Sequence, residues 1–287
     1  MTDLPSAYQD RRIALATMHR KEQAIAPTFK HLLGATVVAA TDIDTDQLGT
    51  FSGEVSRRGT MREVAIAKAR LGMQATGLSL GLASEGSFGP HPQIPFMPGA
   101  IEVMTFVDDE RGMVIHESRV VDETNFAHVL VTPGDSLEQF LNRLQFPSHA
   151  VIVRPNAGDI YRNVGKGIQS RELLSAAIAD AARVSTDGKA HIETDMRAHM
   201  NPTRMRSLAE LAGQLAERLA SVCPACASPG WGRVDVVSGL PCDACGTPTE
   251  MVAAEVFGCP ACSHKEQRPR RDGLTHAKPG NCPYCNP

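Results

Sequence analysis

The chain gathers its metal-ligating chemistry at one end: all eight cysteines lie between Cys223 and Cys285, in four Cys-x-x-Cys pairs, Cys223/Cys226, Cys242/Cys245, Cys259/Cys262 and Cys282/Cys285. A two-residue gap lets both thiolates of a pair reach one tetrahedral ion. Met1 to Arg12 lacks the apolar segment of a secretory signal, and in a reducing compartment such pairs hold metal rather than disulfides. Eight thiolates with none left over make two four-cysteine zinc sites. Sites of this kind leave no coordination position for water or substrate, so the expected zinc is structural and the module is a binder or a lid. Gaps of 15, 13 and 19 residues between successive pairs suit short hairpins, with Gly246 and Gly258 at the knuckle turns. Sequential pairing, Cys223/Cys226 with Cys242/Cys245 and Cys259/Cys262 with Cys282/Cys285, is the expectation; combining the two middle pairs and the two outer pairs is the alternative. His264 and His276 read as surface residues beside the sites. Lys265, Arg268, Arg270 and Arg271, with Trp231 and Tyr284 for stacking, could contact nucleic acid, although Glu266 and Asp272 interrupt the run and suit a solvated loop.

A second chemistry lies in the cysteine-free residues 1–222. Hydrolysis of a nucleoside triphosphate needs cations for the phosphates and carboxylates for Mg²⁺. Lys21, at a strand-to-helix turn, and Lys68 and Arg62, on a later helix, are candidate cations; exposed helix faces are the plainer reading of the last two. Glu85 stands at the end of an apolar strand, where α/β sheets place ligands, and Glu22 or Glu63 could assist it. His91 follows in a proline-flanked loop and could line the same cleft. His191, Glu193, Asp195, Arg197 and His199 alternate and would share one face of a strand, which gives either a second wall, with Asp195 and Arg197 as metal and phosphate ligands, or a solvated edge. No Gly-x-Ser-x-Gly elbow that leads from a strand into a helix is present.

The elements that must hold these residues read as α/β. Arg12–Thr17 is a short buried strand, residues 21–33 a helix that tolerates Pro27 and ends at Gly34, and residues 35–41 a strand. A polar loop from Asp42 to Gly59 leads to an amphipathic helix over residues 60–75 and an apolar strand over 78–84. Strands 101–107 and 113–121 form a hairpin around Asp108–Gly112. Residues 128–132 and 150–154 are further strands around a helix capped by Asp135, and the sheet is mixed. Asn201-Pro202 starts a helix whose leucines 208, 211, 215 and 219 and Val222 recur at helical spacing up to the first cysteine pair. The expected domains are 1–222 and 223–287, docked without a linker.

A net charge of −3 excludes a wholly basic nucleic-acid binder, and no apolar run reaches the roughly 20 residues of a membrane helix. A cytoplasmic protein without membrane contact is expected, and homo-oligomers remain open.

Ala16-Thr17-Met18-His19-Arg20-Lys21, Gly59-Thr60-Met61-Arg62-Glu63-Val64-Ala65-Ile66-Ala67-Lys68-Ala69-Arg70 and Ala75-Thr76-Gly77-Leu78 resemble the inosine triphosphate pyrophosphatase superfamily over residues 12–120. The resemblance implies that fold, hydrolysis of noncanonical nucleoside triphosphates with Mg²⁺, and triphosphate binding by Thr17, His19, Lys21, Arg62 and Lys68. Two positions depart from the pattern: Val64 replaces an Asn, and Glu85 in Ser84-Glu85-Gly86-Ser87 replaces an acidic pair. The whole chain also resembles a bacterial family that joins these two parts and brings no activity with it.

Overall fold

The computed structural model describes residues 6–40, 43–45, 47, 59–162 and 164–286, so the expected loop from Asp42 to Gly59 lies almost wholly outside the described residues. β1 (Arg12–Ala16) leads through α1 (Glu22–Leu33) to β2 (Thr36–Ala40), which pairs parallel to it. α2 (Met61–Thr76) begins on a reciprocal cap in which the Thr60 hydroxyl accepts from the Glu63 amide and the Glu63 carboxylate accepts from the Thr60 amide. β3 (Leu80–Pro90) then pairs parallel with the other side of β1, and β4 (Pro98–Asp108) and β5 (Met113–Val121) add antiparallel. The order β2-β1-β3-β4-β5 is a mixed sheet.

Period-two alternation divides its faces. Ile13, Leu15, Leu80, Leu82, Met104 and Phe106 pack on α1 and on α5 (Pro202–Ala220), whereas Ala14, Ala16 and Ala83 pack with Ala69 and Met73 of α2. The chain leaves β1 toward β2 and returns on β1's opposite side as β3. The carboxyl ends of β1 and β3 therefore flank a topological switch point, the place where open α/β sheets leave a crevice.

Residues 128–132 and 150–154 do not extend this sheet. β6 (His128–Val131), β7 (Val151–Pro155), β8 (Gly165–Ile168) and β9 (Ala190–Thr194) form a separate antiparallel sheet, order β6-β9-β7-β8, packed on α3 (Glu138–Leu144) and α4 (Arg171–Val184). β9 recruits β6 on one side and β7 on the other, which takes both away from the first sheet. Asp135 does not cap α3; its carboxylate accepts from the Thr132 amide and hydroxyl at 2.7 and 2.9 Å. β9 also stops at Thr194: the Asp195 amide donates to Ala150 O, and the chain turns into a 3₁₀ turn, Ala198–Met200. Asp195, Arg197 and His199 thus leave the strand face that alternation assigned them.

α5 starts where expected, with Asn201 Oδ1 accepting from the Arg204 amide and Pro202 first in the helix, and it buries Leu208, Leu211, Leu215 and Leu219 while Val222 lies exposed beyond its end. An antiparallel meander follows: β10 (Gly232–Ser238), β11 (Val252–Gly258) and β12 (Lys265–Pro269). Arg218 of α5 clamps it to the α/β part by donating to Gly230 O, His116 O and the Glu117 carboxylate. No helix among the described residues is long and apolar enough to cross a membrane.

Candidate functional site

The meander decides how the cysteines meet. The pair Cys223/Cys226 precedes β10 and Cys259/Cys262 lies between β11 and β12, at the end of the meander where Gly232 pairs with Gly258 and Gly258 with Lys265. Cys242/Cys245 follows β10 at the opposite end, and β12 leads the chain back there to Cys282/Cys285. Seven residues of strand separate the two ends by roughly 20 Å. The tetrads are therefore Cys223, Cys226, Cys259, Cys262 and Cys242, Cys245, Cys282, Cys285, which corrects both the sequential and the nested pairing.

Within each tetrad the sulfurs all lie within 4.8 Å of one another. Cys223 to Cys262 and Cys242 to Cys285 are 3.9 Å, and Cys226 to Cys259 and Cys245 to Cys282 are 3.6 Å. A zinc ion with bonds of about 2.3 Å to four sulfurs sets the tetrahedron edge at about 3.8 Å, and a disulfide would need about 2.05 Å. The two tetrads can each hold one metal ion and are consistent with zinc. Gly246 takes a left-handed φ of 74° just after Cys245, as expected, and Ala227 does the same at 58° after Cys226. Gly258 has another reason: a Cβ there would meet Val234 at 2.8 Å across the strands.

The basic stretch is internally paired. Arg268 donates to Glu266 and lies over the Phe257 ring at 4.6 Å, Arg270 pairs with Asp272, and Arg271 is 3.5 Å from Glu255. Trp231 is buried and stacked on His264 at 5.3 Å, so its face is covered, while Tyr284 is exposed.

The second cluster forms at the switch point. β1 pairs with β3 only as far as Leu15 and Leu82, while β3 runs on. Its edge beyond β1 is met by the turn that follows β1. Thr17 Oγ1 organises that turn by accepting from the His19 amide at 3.1 Å and the Lys21 amide at 3.4 Å. Lys21 is buried, and its Nζ donates to Ser84 O and Ser84 Oγ, both at 3.0 Å, which satisfies a carbonyl that has run past its strand partner. Glu85, on the α2 face with Ala83, meets buried Lys68 at 2.5 Å. Glu102, which pairs with Gly86 one residue along, points to the opposite face and binds Arg204 of α5 at 2.7 Å, with both side chains about 1% exposed. A Cβ on Gly86 would fall 2.8 Å from both partners' polar atoms, so the strand must be bare there. Arg197 and His199 close the cluster; the His199 and His19 rings meet edge to face at 5.1 Å.

Burial pushes the Lys21 ammonium down to about 8, helped by Arg204 and Lys68 and opposed by Glu85 and Glu102. Burial, then Lys21, His199, Arg204 and Arg197, push the His19 imidazole down to about 3. Both shifts are led by burial, and at His19 every charged neighbour adds to it.

Residues 68–287 match the family model described as a domain of unknown function, DUF6671. The chain belongs to this family. No curated protein matches it. The DUF6671 match takes in Lys68, Glu85, Arg197, Arg204 and both cysteine tetrads and begins after the Thr17 to Lys21 turn; it does not show the pyrophosphatase likeness drawn over residues 12–120.

Of the residues singled out by type and spacing, the fold brings Thr17, His19, Lys21, Lys68 and Glu85 together, with Arg197 beside them. Asp195 serves Arg197 instead of Glu85: its oxygens accept from Arg197 Nε, Nη2 and backbone amide and from the Gly167 amide at 2.6–3.1 Å. His91 is a loop pin. Its Nδ1 accepts from the Gln93 and Ile94 amides, its Nε2 binds Asp122, and it lies six residues beyond Glu85 along extended chain, about 20 Å away. Arg62 is exposed and acts on His116 of β5, and Glu63 is spent on its helix cap. Glu102, Arg204 and the contact of His199 with His19 are the additions that sequence reading did not supply.

The depressed His19 imidazole has a measurable consequence. Between the ordinary histidine value near 6.5 and about 3, the unfolded chain carries a proton on this ring that the folded chain does not. Stability is complete above that window and is lost as pH falls through it, by up to about 1.4 kcal/mol per pH unit. His116, His149 and His199 are lowered in the same direction. Urea midpoints measured from pH 7 to pH 5 should fall less steeply for His19→Gln than for the unmodified chain; identical slopes would show that the ring titrates normally.

Proposed function

We propose that residues 1–222 of this DUF6671 protein form a nucleoside triphosphate pyrophosphohydrolase that works with Mg²⁺, and that residues 223–287 form a structural module held by two zinc ions. The observation that carries this reading is the convergence of two buried ammonium groups, Lys21 and Lys68, from different elements on Ser84 and Glu85 at a switch-point crevice. Burying two ammonium ions beside arginines is costly unless an anion completes the site. A polyphosphate supplies that anion, and Lys21 and Lys68 would hold and orient it.

The donor set fits Mg²⁺ in one respect: a single carboxylate, Glu85, is enough when substrate phosphates provide other oxygens. Bound there, the ion would neutralise charge on the phosphates. The chain's own part is to place the phosphate chain against β3 and to shield it between α2 and the turn after β1. Purified protein given a panel of standard and deaminated nucleoside triphosphates with Mg²⁺ should release pyrophosphate. Glu85→Ala should reduce release to background, and Lys68→Met should lower it on the order of a hundredfold. No release above the Glu85→Ala control discards the hydrolase.

One observation favours a non-catalytic binder instead: Glu102 and Asp195 are engaged by Arg204 and Arg197, and Glu85 by Lys68. Triphosphate binding with no turnover would select that alternative.

A further inference from the structure

His19 and His199 are not needed to hold the phosphate chain in the reading above, yet the fold brings them together from positions 180 residues apart in sequence. Their rings meet at 89°, and among the described residues neither ring makes a hydrogen bond; His199 Nδ1 is shut away from solvent without a partner. Leaving a buried polar atom unsatisfied costs about 1–3 kcal/mol. The groups that face the pair are Lys21 and Arg20 from the turn after β1, Arg197 and Asp195 from the segment after β9, and Arg204 from α5. All but Asp195 are cations. Asp195 is itself held by Arg197, so burial first and the surrounding cations second discourage an imidazolium while the site holds no anion.

We propose that His19, His199 and Arg197 form a proton-coupled phosphate subsite, in which a phosphoryl group that binds beside the two rings is accompanied by transfer of a proton from solvent to the imidazole pair. The proposal rests on the phosphate-site reading and deepens it. The physical cause is the negative charge and the hydrogen-bond acceptor that a phosphoryl group brings next to the rings. A dianionic phosphoryl group opposes the four surrounding cations, so the imidazolium becomes the favoured form and donates to a phosphate oxygen. No bond to carbon or phosphorus changes; one proton moves from buffer to imidazole nitrogen. Arg197, held in place by Asp195, supplies a charged donor to the same group.

The test is calorimetric titration of the full chain with inorganic pyrophosphate, without Mg²⁺, at pH 6.5 in buffers of different ionisation enthalpy. At that pH Lys21 is already charged and contributes little uptake. The unmodified chain should take up close to one proton more per pyrophosphate than the His19→Gln/His199→Gln double variant. Its affinity should also rise by up to about tenfold more than the variant's between pH 7.5 and pH 6.5. The ligand's own titration is common to both proteins and cancels. ATP and ITP in place of pyrophosphate would separate a nucleotide phosphate from a free one. If the double variant does not fold, proton NMR of the unmodified chain should show two imidazole C2–H signals moving downfield when pyrophosphate is added. Equal proton uptake in both proteins with binding retained overturns the subsite and leaves the phosphate site standing, as do unmoved imidazole signals. Absence of pyrophosphate binding overturns both.

Discussion

Replacing Cys223 and Cys259 together with serine should cost one zinc equivalent, whereas replacing Cys223 and Cys242 should cost both under a mild chelator. Only the alternating arrangement gives that result, because the first two share a tetrad and the second two do not. Sequential pairing would reverse it. The expected effect is large: structural zinc in small cysteine modules contributes about 10–16 kcal/mol of apparent binding energy at neutral pH, and that energy is folding energy. Little else is present to hold the module, whose core comprises Cys223, Trp231 and Phe257 with Cys259 alongside. Trp231, the single tryptophan of the chain, is 5% exposed and belongs to the Cys223 end. Its emission should shift to the red in the Cys223/Cys259 variant and stay nearly unchanged in a Cys242/Cys282 variant. Metal analysis that finds one retained equivalent in the Cys223/Cys242 variant would remove the alternating arrangement, and fewer than two in the unmodified chain would remove zinc as the fastener.

Knuckles were plain in the sequence because their chemistry is local: a two-residue gap is a statement about neighbouring atoms. Their partnership was not, because it depends on β10, β11 and β12. Those strands carry Arg233, Asp235, Glu255 and Lys265 among their valines and show only weak alternation. The same divide runs through the α/β part. Helices with chemical end-markers, such as Thr60 with Glu63, Asn201 with Pro202, and Gly34, read correctly to within a residue or two. α4 carries only a thin stripe of Leu174, Ile178, Ala181 and Ala182, too weak a periodicity to mark a helix. The turn at Thr17 to Lys21 follows the end of β1 as its spacing indicates, whereas Glu85, expected at the end of an apolar strand, lies inside β3, which runs on to Pro90 because β4 pairs with its whole length. Lys68 is indistinguishable by sequence from a residue on a solvated helix face, because only the packing of α2 turns it inward onto β3. Glu102 did leave a signal: it shares strand parity with Met104 and Phe106, so alternation alone assigns a carboxylate to the core face. Nothing local names its partner, Arg204, 102 residues away.

Arg204→Met should destabilise the protein by about 3–5 kcal/mol, since it leaves the Glu102 carboxylate buried and unpaired. Glu102→Leu alone should cost a similar amount by stranding the guanidinium. The double replacement should recover most of the loss, because two apolar side chains of comparable volume avoid the desolvation that the ion pair must overcome. Chemical denaturation of the four proteins reads the coupling directly. The informative member is the double variant. Arg204 also donates to Met196 O at 2.5 Å and lies over the Phe88 ring at 5.0 Å, so it ties the segment carrying Arg197 and His199 to β3 and β4. If the pair exists to hold that wall, the double variant will fold and still bind pyrophosphate about tenfold or more weakly, the size of a lost charge-assisted contact. A double variant that matches the parent in stability and in pyrophosphate affinity would reduce Glu102 and Arg204 to replaceable core filling. A stable double variant with weak binding would establish that this interior charge pair serves the site instead of the fold.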